Sequence, residues 1–506
     1  MSRNLNEASW DGHSRGHLDV SNSSMMFGVS AVTVAMGLLL VLAAFLDGGL
    51  GSADSSLPLY FLGLLALAAL TWWESTRPRV GMLPAWTSPP ALIAGWTLLW
   101  LYLPSLAVFV DEDLLDDFTL GQGGQAVLVA GLPVTCVGLA VLSLAYHGTG
   151  LAFGRVARGA ERAARLATLP RILGLYAIST AARVFRLRTL GVAFGADLAS
   201  WGPLQSVDQW IGSAEDLRFL ALALLVAHVV RQRTGSVWLG IALVVELAVA
   251  VSSGFLVPVI LPVILCATTA VACDRLRRGH VVLLAVAGVV VATFVPVVAA
   301  VRADQTGTIG TRVSDGVAGA IAAPARYWID GVSGGNGVYD KFFGRQAEVA
   351  TAAGLVRLQA PSVVPFEGLD RFLDLPASLI PRVIWPEKPV TSRGVWFSST
   401  FRGLDENTTS YSAMTIFSEG YLFYGWTGTV LAMLIVGVVL ALVRRLLDNR
   451  ALVLVYLALV PTILHIEPEF SSYLLTLIQR SVVFVVVYLV LTHTRRRRHA
   501  RVRVRA

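Results

Sequence analysis

The nine residues PRVIWPEKP, 381–389, set Arg382, Glu387 and Lys388 among three prolines and around Trp385. Proline fixes its own φ and pushes the preceding residue toward extended backbone, so these charged side chains leave a stiff chain in set directions. Pre-set cations suit a phosphate group, whose charge they stabilise without reorganising. A guanidinium fork also engages phosphate oxygens in bidentate fashion, which an ammonium cannot do. Arg302, Arg326 and Arg393 stand in the same part of the chain and could join such a clamp. Trp385 offers an aromatic face of the kind that lies against sugar rings or at a lipid interface. Two plainer readings stay open: a proline-rich turn anchored by an interfacial tryptophan, and arginines that pair with nearby acids on a solvated surface.

Glu419 opens an apolar run in SEGYLFYGWTG, with Tyr421 and Tyr424 beside it. Close to pooled arginines, its carboxylate could take a proton from a sugar hydroxyl, a role that needs tuning by burial and neighbours. The alternative is an interfacial ion pair, and Glu387 is the second candidate for the base. Glu246 in VVELAV and Arg480 in LLTLIQRSVVF lie inside apolar runs. A charge there costs at least ~2.5–3.5 kcal/mol and must find a partner. Either the two pair with one another, or Arg480 helps to bind a lipid phosphate. His465, in LHIEPEF, reads as structural. No HExxH, Walker-type phosphate loop or Ser-His-Asp signature occurs. The acidic run DEDLLDD at 111–117 could hold a divalent cation, or simply mark an external loop. No metal site or other cofactor is expected.

Such residues need a scaffold, and composition says which. The 506-residue chain is 14% charged, against ~25% in soluble proteins, and has a mean hydropathy of +0.67. Lipid must cover much of its surface. Continuous apolar runs near the ~20 residues that cross a bilayer recur, and alternating barrel strands do not. We read an all-α polytopic protein of about twelve spans: 25–46, 57–73, 90–110, 126–147, 170–187, 216–231, 236–252, 255–272, 280–300, 413–442, 451–466 and 472–492. Span 170–187, with Arg183, Arg186 and Arg188 at one end, also fits an interfacial helix. Basic loops at 155–171, 231–233, 274–278 and 444–450 alternate with acidic ones, which places both termini (1–24 and the basic 493–506) in the cytoplasm. The net charge of +7 therefore marks topology and lipid headgroups, with no call for nucleic acid. The three cysteines form no disulfide or metal pattern. Between the blocks 25–300 and 413–492, residues 301–412 make a long outer loop holding nine arginines, both lysines and eleven acids. Its many aromatics argue against disorder, so we expect a cap of short helices over the outer membrane surface.

PRVIWPEKP resembles the PR-x-x-WP-(D/E)-KP signature of bacterial oligosaccharide repeat-unit polymerases, the O-antigen (Wzy-type) polymerases. SEGYLFYGWTGTVLAMLIVGVVL is similar to that family's GE-x-Y-x-N-(F/Y)-G-x-x-G stretch, and SSGFLVPVILPVIL at 252–265 to its SGS-type stretch. Ser418 and Phe423 depart from the family's glycine and asparagine, and the basic residue after SGS is absent. The resemblance implies an O-antigen polymerase-ligase (GT-C-like) architecture in the bacterial cytoplasmic membrane. It implies a glycosyltransferase that moves a growing glycan from undecaprenyl diphosphate onto a lipid-linked repeat unit at the outer face. In that setting Arg382, Lys388, Arg326, Arg302 and Arg480 would bind the diphosphate, Glu419 or Glu387 would be the base, and Trp385 and Tyr421 would contact sugars. A chain-length regulator and a flippase would be partners. A ligase using the same donor, a lipid-linked sugar transporter and a non-catalytic scaffold are the alternatives.

Overall fold

The computed structural model describes residues 53–77, 83–115, 119, 122–152, 167–189, 204–253, 257–273, 337–373, 375–376, 380, 385, 393–403, 412–449 and 451–493. Every regular element among them is a helix. Five are long and apolar enough to cross a membrane: Ser56–Thr76, Pro89–Phe109, Gly124–Ala152, Ile416–Leu447 and Phe470–Thr492. The chain is an α-helical membrane protein. The spans expected at 25–46 and 280–300 lie outside the described residues.

In chain order the helices are α1 (Ala53–Thr76), α2 (Pro89–Trp96), α3 (Gly124–Ala152), α4 (Leu169–Thr189), α5 (Leu204–Gln232), α6 (Ser236–Ser253), α7 (Val257–Cys273), α8 (Gly337–Gln359), α9 (Gly394–Arg402), α10 (Ile416–Leu447), α11 (Val453–Ala458), α12 (Val460–Leu464) and α13 (Phe470–His493). The span at 90–110 changes pitch along its length. After α2 it becomes a π-helix over Thr97–Tyr102 and then a 3₁₀-helix over Pro104–Phe109. The span expected at 451–466 is two short helices, with Pro461 at the start of the second.

α3 is apolar along nearly its whole length and packs against α1, α8 and α10. Small residues set these distances, because helices in lipid gain most from close backbone approach. A Cβ on Gly131 would stand 2.7 Å from the backbone nitrogen of Gly354 in α8. One on Gly437 of α10 would stand 2.8 Å from the Cβ of Ala145. Residues 337–359, expected as part of a cap of short helices, instead form one 23-residue helix that packs against both α3 and α10. Its Ala347, Ala352, Ala353, Leu355 and Val356 are fully buried or nearly so.

α10 is not the straight span that its hydropathy suggests. Tyr424 and Gly425 leave helical geometry, Gly425 at a φ of 57° that side-chain-bearing residues rarely adopt. Residues 416–423 fold back onto the rest. A Cβ on Gly420 would meet that of Ala432 at 3.0 Å, whereas residues that far apart along a straight helix are about 18 Å apart. The broken turn frees two carbonyls, and Glu367 N–H and Gly368 N–H donate to Leu422 O and Phe423 O at 3.2 and 3.0 Å.

Helix ends sort into two groups. At one end, Arg444 donates to Thr87 O, Tyr456 donates to the same oxygen, Arg171 donates to Leu491 O, and His147 Nε2 lies 2.9 Å from the Glu74 carboxylate. Ser143 also donates to Glu74. Both groups bond the carboxylate, so the described contacts make a polar clamp between α1 and α3 and not a nucleophile with its base. The other end gathers 359–373, α9, the folded-back 416–423 and the 465–469 connector.

Candidate functional site

Glu419 lies on the folded-back turn, whose first residues are capped by Thr415. It is 1% exposed, and one carboxylate oxygen accepts from Ser471 N–H at 3.1 Å, in the first turn of α13. An anion at a helix N-terminus is favoured by the orphan N–H groups and dipole there. Glu469, also 1% exposed, immediately precedes that helix and accepts from the backbone N–H of Arg393 at 2.7 Å. The Arg393 guanidinium grips the Glu367 carboxylate through both terminal nitrogens, one of them at 2.5 Å. It reaches Glu419 at 4.0 Å and stands 4.0 Å above the Trp396 ring. Arg371 adds a second cation to Glu367 at 3.4 Å. Five chain segments thus bring three carboxylates, two guanidiniums and an aromatic face to one place: 365–373, α9, 416–423, 465–469 and α13.

Below this cluster, Arg402 is locked to Glu348 of α8 at 2.8 Å, and Ser412 donates to the same carboxylate at 3.2 Å. That buried pair ties α9, and with it Arg393 at its N-cap, to the bundle. Beside the site, Tyr421 packs its ring against Trp426 and Phe366. Its phenol lies beside the guanidinium of Arg357 of α8. Arg357 also donates to Ala130 O at 3.0 Å and lies 5.4 Å from the Trp426 ring centre. No group of three or more His, Cys, Asp or Glu among the described residues is arranged to hold a metal.

The structure therefore brings Glu419, Tyr421 and Arg393 into one neighbourhood. Trp385 is described and 39% exposed. Arg302, Arg326, Arg382, Glu387 and Lys388 lie outside the described residues, as do Asp116 and Asp117 of the acidic run. Arg480 is elsewhere, bound to Asp216 at 2.6 Å and to Thr462 Oγ1 at 2.8 Å. The pairing of Glu246 with Arg480, one of the two readings the sequence left open, is corrected. Glu246 is taken by Arg183 at 2.8 Å, Arg218 at 3.5 Å and the Tyr176 hydroxyl at 3.1 Å. The reason is helix placement: α4 and α5 put their arginines against α6, while α13 meets α5 at Asp216. Arg183 thereby has a buried partner in α6.

The family described as a domain of unknown function, DUF8712, matches residues 184–450, just over half of the chain. The chain belongs to the DUF8712 family. No curated protein and no solved structure matches it. The DUF8712 match takes in Glu367, Arg393, Glu419 and the whole of α8. It ends before Glu469 and α13, so the candidate site joins the DUF8712 region to the last helices.

Reading the sequence missed Glu367, Arg357 and the role of Glu469. Glu469 was visible only as an acidic loop residue. Glu367, one of eleven acids in its loop, had no spacing signal. Arg357 follows the small-residue run ATAAGLV, a helix-packing pattern that could have placed it inside the bundle.

Proposed function

We propose that this chain is a membrane glycosyltransferase that polymerises lipid-linked repeat units from a polyprenyl diphosphate donor. The observation that carries the reading is the buried Glu419 carboxylate, gathered with Glu469 and the Glu367–Arg393–Trp396 group at one end of the bundle. The resemblance of PRVIWPEKP to the O-antigen polymerase signature supports it from the neighbouring segment.

In this reading the acceptor hydroxyl attacks the anomeric carbon of the donor sugar. The new C–O bond forms as the bond to the diphosphate breaks, and the leaving diphosphate takes the electron pair. Glu419 receives the hydroxyl proton, with Glu387 as the second candidate. Arg382, Lys388, Arg326 and Arg302 stabilise the charge on the diphosphate, and a carbohydrate ring lies against Trp396 or Trp385. Arg393 is matched by Glu367, so it positions the carboxylates. Arg480 is matched by Asp216, so it holds helices together. The site would face outward in a bacterial cytoplasmic membrane.

Purified protein in liposomes, supplied only with lipid-linked repeat units, tests the proposal. Wild type is expected to give a ladder of glycans. Glu419→Gln is expected to lower the rate about 10²- to 10⁴-fold, the usual worth of a positioned base, with the protein still folded. A Glu419→Gln variant that polymerises at the normal rate would remove Glu419 from the mechanism. A single transfer to another acceptor, with no ladder, would favour the ligase reading.

A further inference from the structure

Arg357 is a cation on a packed helix with no carboxylate to balance it among the described residues. Its contacts are a carbonyl, a phenol and an indole face. Elsewhere in the bundle the buried arginines are matched: Arg183 and Arg218 by Glu215 and Glu246, Arg402 by Glu348, and Arg444 by Asp448. A guanidinium offers five N–H donors in a fixed fork, and the one carbonyl it meets leaves donors over. Arg357 is partly exposed, so an anion that reaches it from outside the bundle can take up the spare donors.

Its surroundings say from where the anion comes. The next residue, Leu358, is 37% exposed and Tyr424, at the break in α10, is 53% exposed. These are apolar and aromatic faces on the outside of a membrane bundle, where acyl chains lie. At the break, Tyr421 meets Phe366 and Trp426 ring to ring, Tyr424 meets Phe366, and the Trp426 ring centre lies 5.4 Å from the guanidinium.

We infer that Arg357, with Tyr421 and Trp426, forms a laterally open site for the phosphate group of a membrane lipid, beside the Glu419 cluster. The inference rests on the glycosyltransferase reading only for the identity of that lipid, an isoprenoid phosphate presented sideways to the site. The phosphate chemistry stands without it.

Full-length protein in neutral detergent, examined by native mass spectrometry, tests this with undecaprenyl phosphate, phosphatidylglycerol, inorganic pyrophosphate and phosphatidylcholine as probes. Wild type is expected to retain the lipid phosphates. Arg357→Gln should weaken them at least tenfold with phosphatidylcholine unchanged. Arg357→Lys, which keeps the charge and loses the fork, should fall between. Preference for undecaprenyl phosphate over phosphatidylglycerol identifies a substrate lipid, and equal retention identifies a general headgroup site. Unaltered retention of both lipids by folded Arg357→Gln, or by folded Arg357→Lys where Gln does not fold, overturns the site. Retention of pyrophosphate alone overturns its assignment to a lipid. A protein that binds lipid phosphate through Arg357 but makes no glycan would keep this inference and end the glycosyltransferase reading. Glycan ladders with wild-type binding in the variant would do the reverse.

Discussion

At the scale of single residues, the sharpest consequences come from charges held away from water. Glu246 shares two buried guanidiniums with Glu215, so Glu246→Gln leaves Arg183 and Arg218 with one carboxylate between them. A loss of about 3–5 kcal/mol follows from breaking such a pair, read as a large fall in melting temperature in detergent. Asp216 and Arg480 offer the complementary case: Asp216→Asn with Arg480→Gln should be milder than either change alone. His465 gives a pH signature. Burial in the 465–469 connector pulls its imidazole below the ordinary range, Arg480 adds to this, and Glu467 and Asp216 oppose it. As pH falls below ~6.5 the unfolded chain takes a proton that the folded chain declines, so stability drops with acid. The melting temperature should fall between pH 7.5 and 5.5, and His465→Gln should reduce that fall. Glu419 was readable from the sequence because it is a lone carboxylate opening an apolar run. Its neighbours Glu367 and Glu469 were not, because surface acids and site acids look alike until the fold brings them together.

Among the elements, the long apolar helices α1, α3 and α13 were legible because lipid crossing imposes length and hydropathy together. α8 was not, since its burial depends on alanine and glycine meeting α3, and small residues carry little hydropathy. Gly131→Val should therefore destabilise strongly, by wedging the α3–α8 contact where the Gly354 backbone leaves no room. The same change at Gly148, which has open space around it, should be nearly neutral, and paired melting curves would compare them. The break in α10 left only a faint trace, the spacing of Gly420, Gly425 and Gly428. Gly425 needs a positive φ, so Gly425→Ala adds strain there and should disturb the Glu419 site before the rest of the bundle. Hydrogen exchange should then rise at 365–373 and 416–423, and an unchanged pattern would argue that the break does not hold the site.

For the whole molecule, the alternation of basic and acidic loops is an expectation about sidedness, and the described contacts gather helix ends into two groups. The His147–Glu74 and Arg444–Thr87 contacts lie at one end, and the Glu419 cluster lies at the other. A topology of this kind predicts opposite accessibility for cysteines placed at Val363 and Ala451, both exposed, in a chain whose own three cysteines are replaced. An impermeant maleimide should label position 363 in intact cells and position 451 only after permeabilisation. Labelling of both from one side would break the alternation. What hydropathy could not convey is that the segment between the two span blocks sends a helix into the bundle, which joins the candidate site to the membrane.

The products of one reaction test the glycosyltransferase proposal most directly. Wild-type protein reconstituted with purified lipid-linked repeat units, and nothing else, should release one polyprenyl diphosphate for each glycosidic bond formed while the glycan lengthens stepwise. Lipid-linked units that come through unchanged in the presence of folded protein, with no diphosphate released, would contradict it.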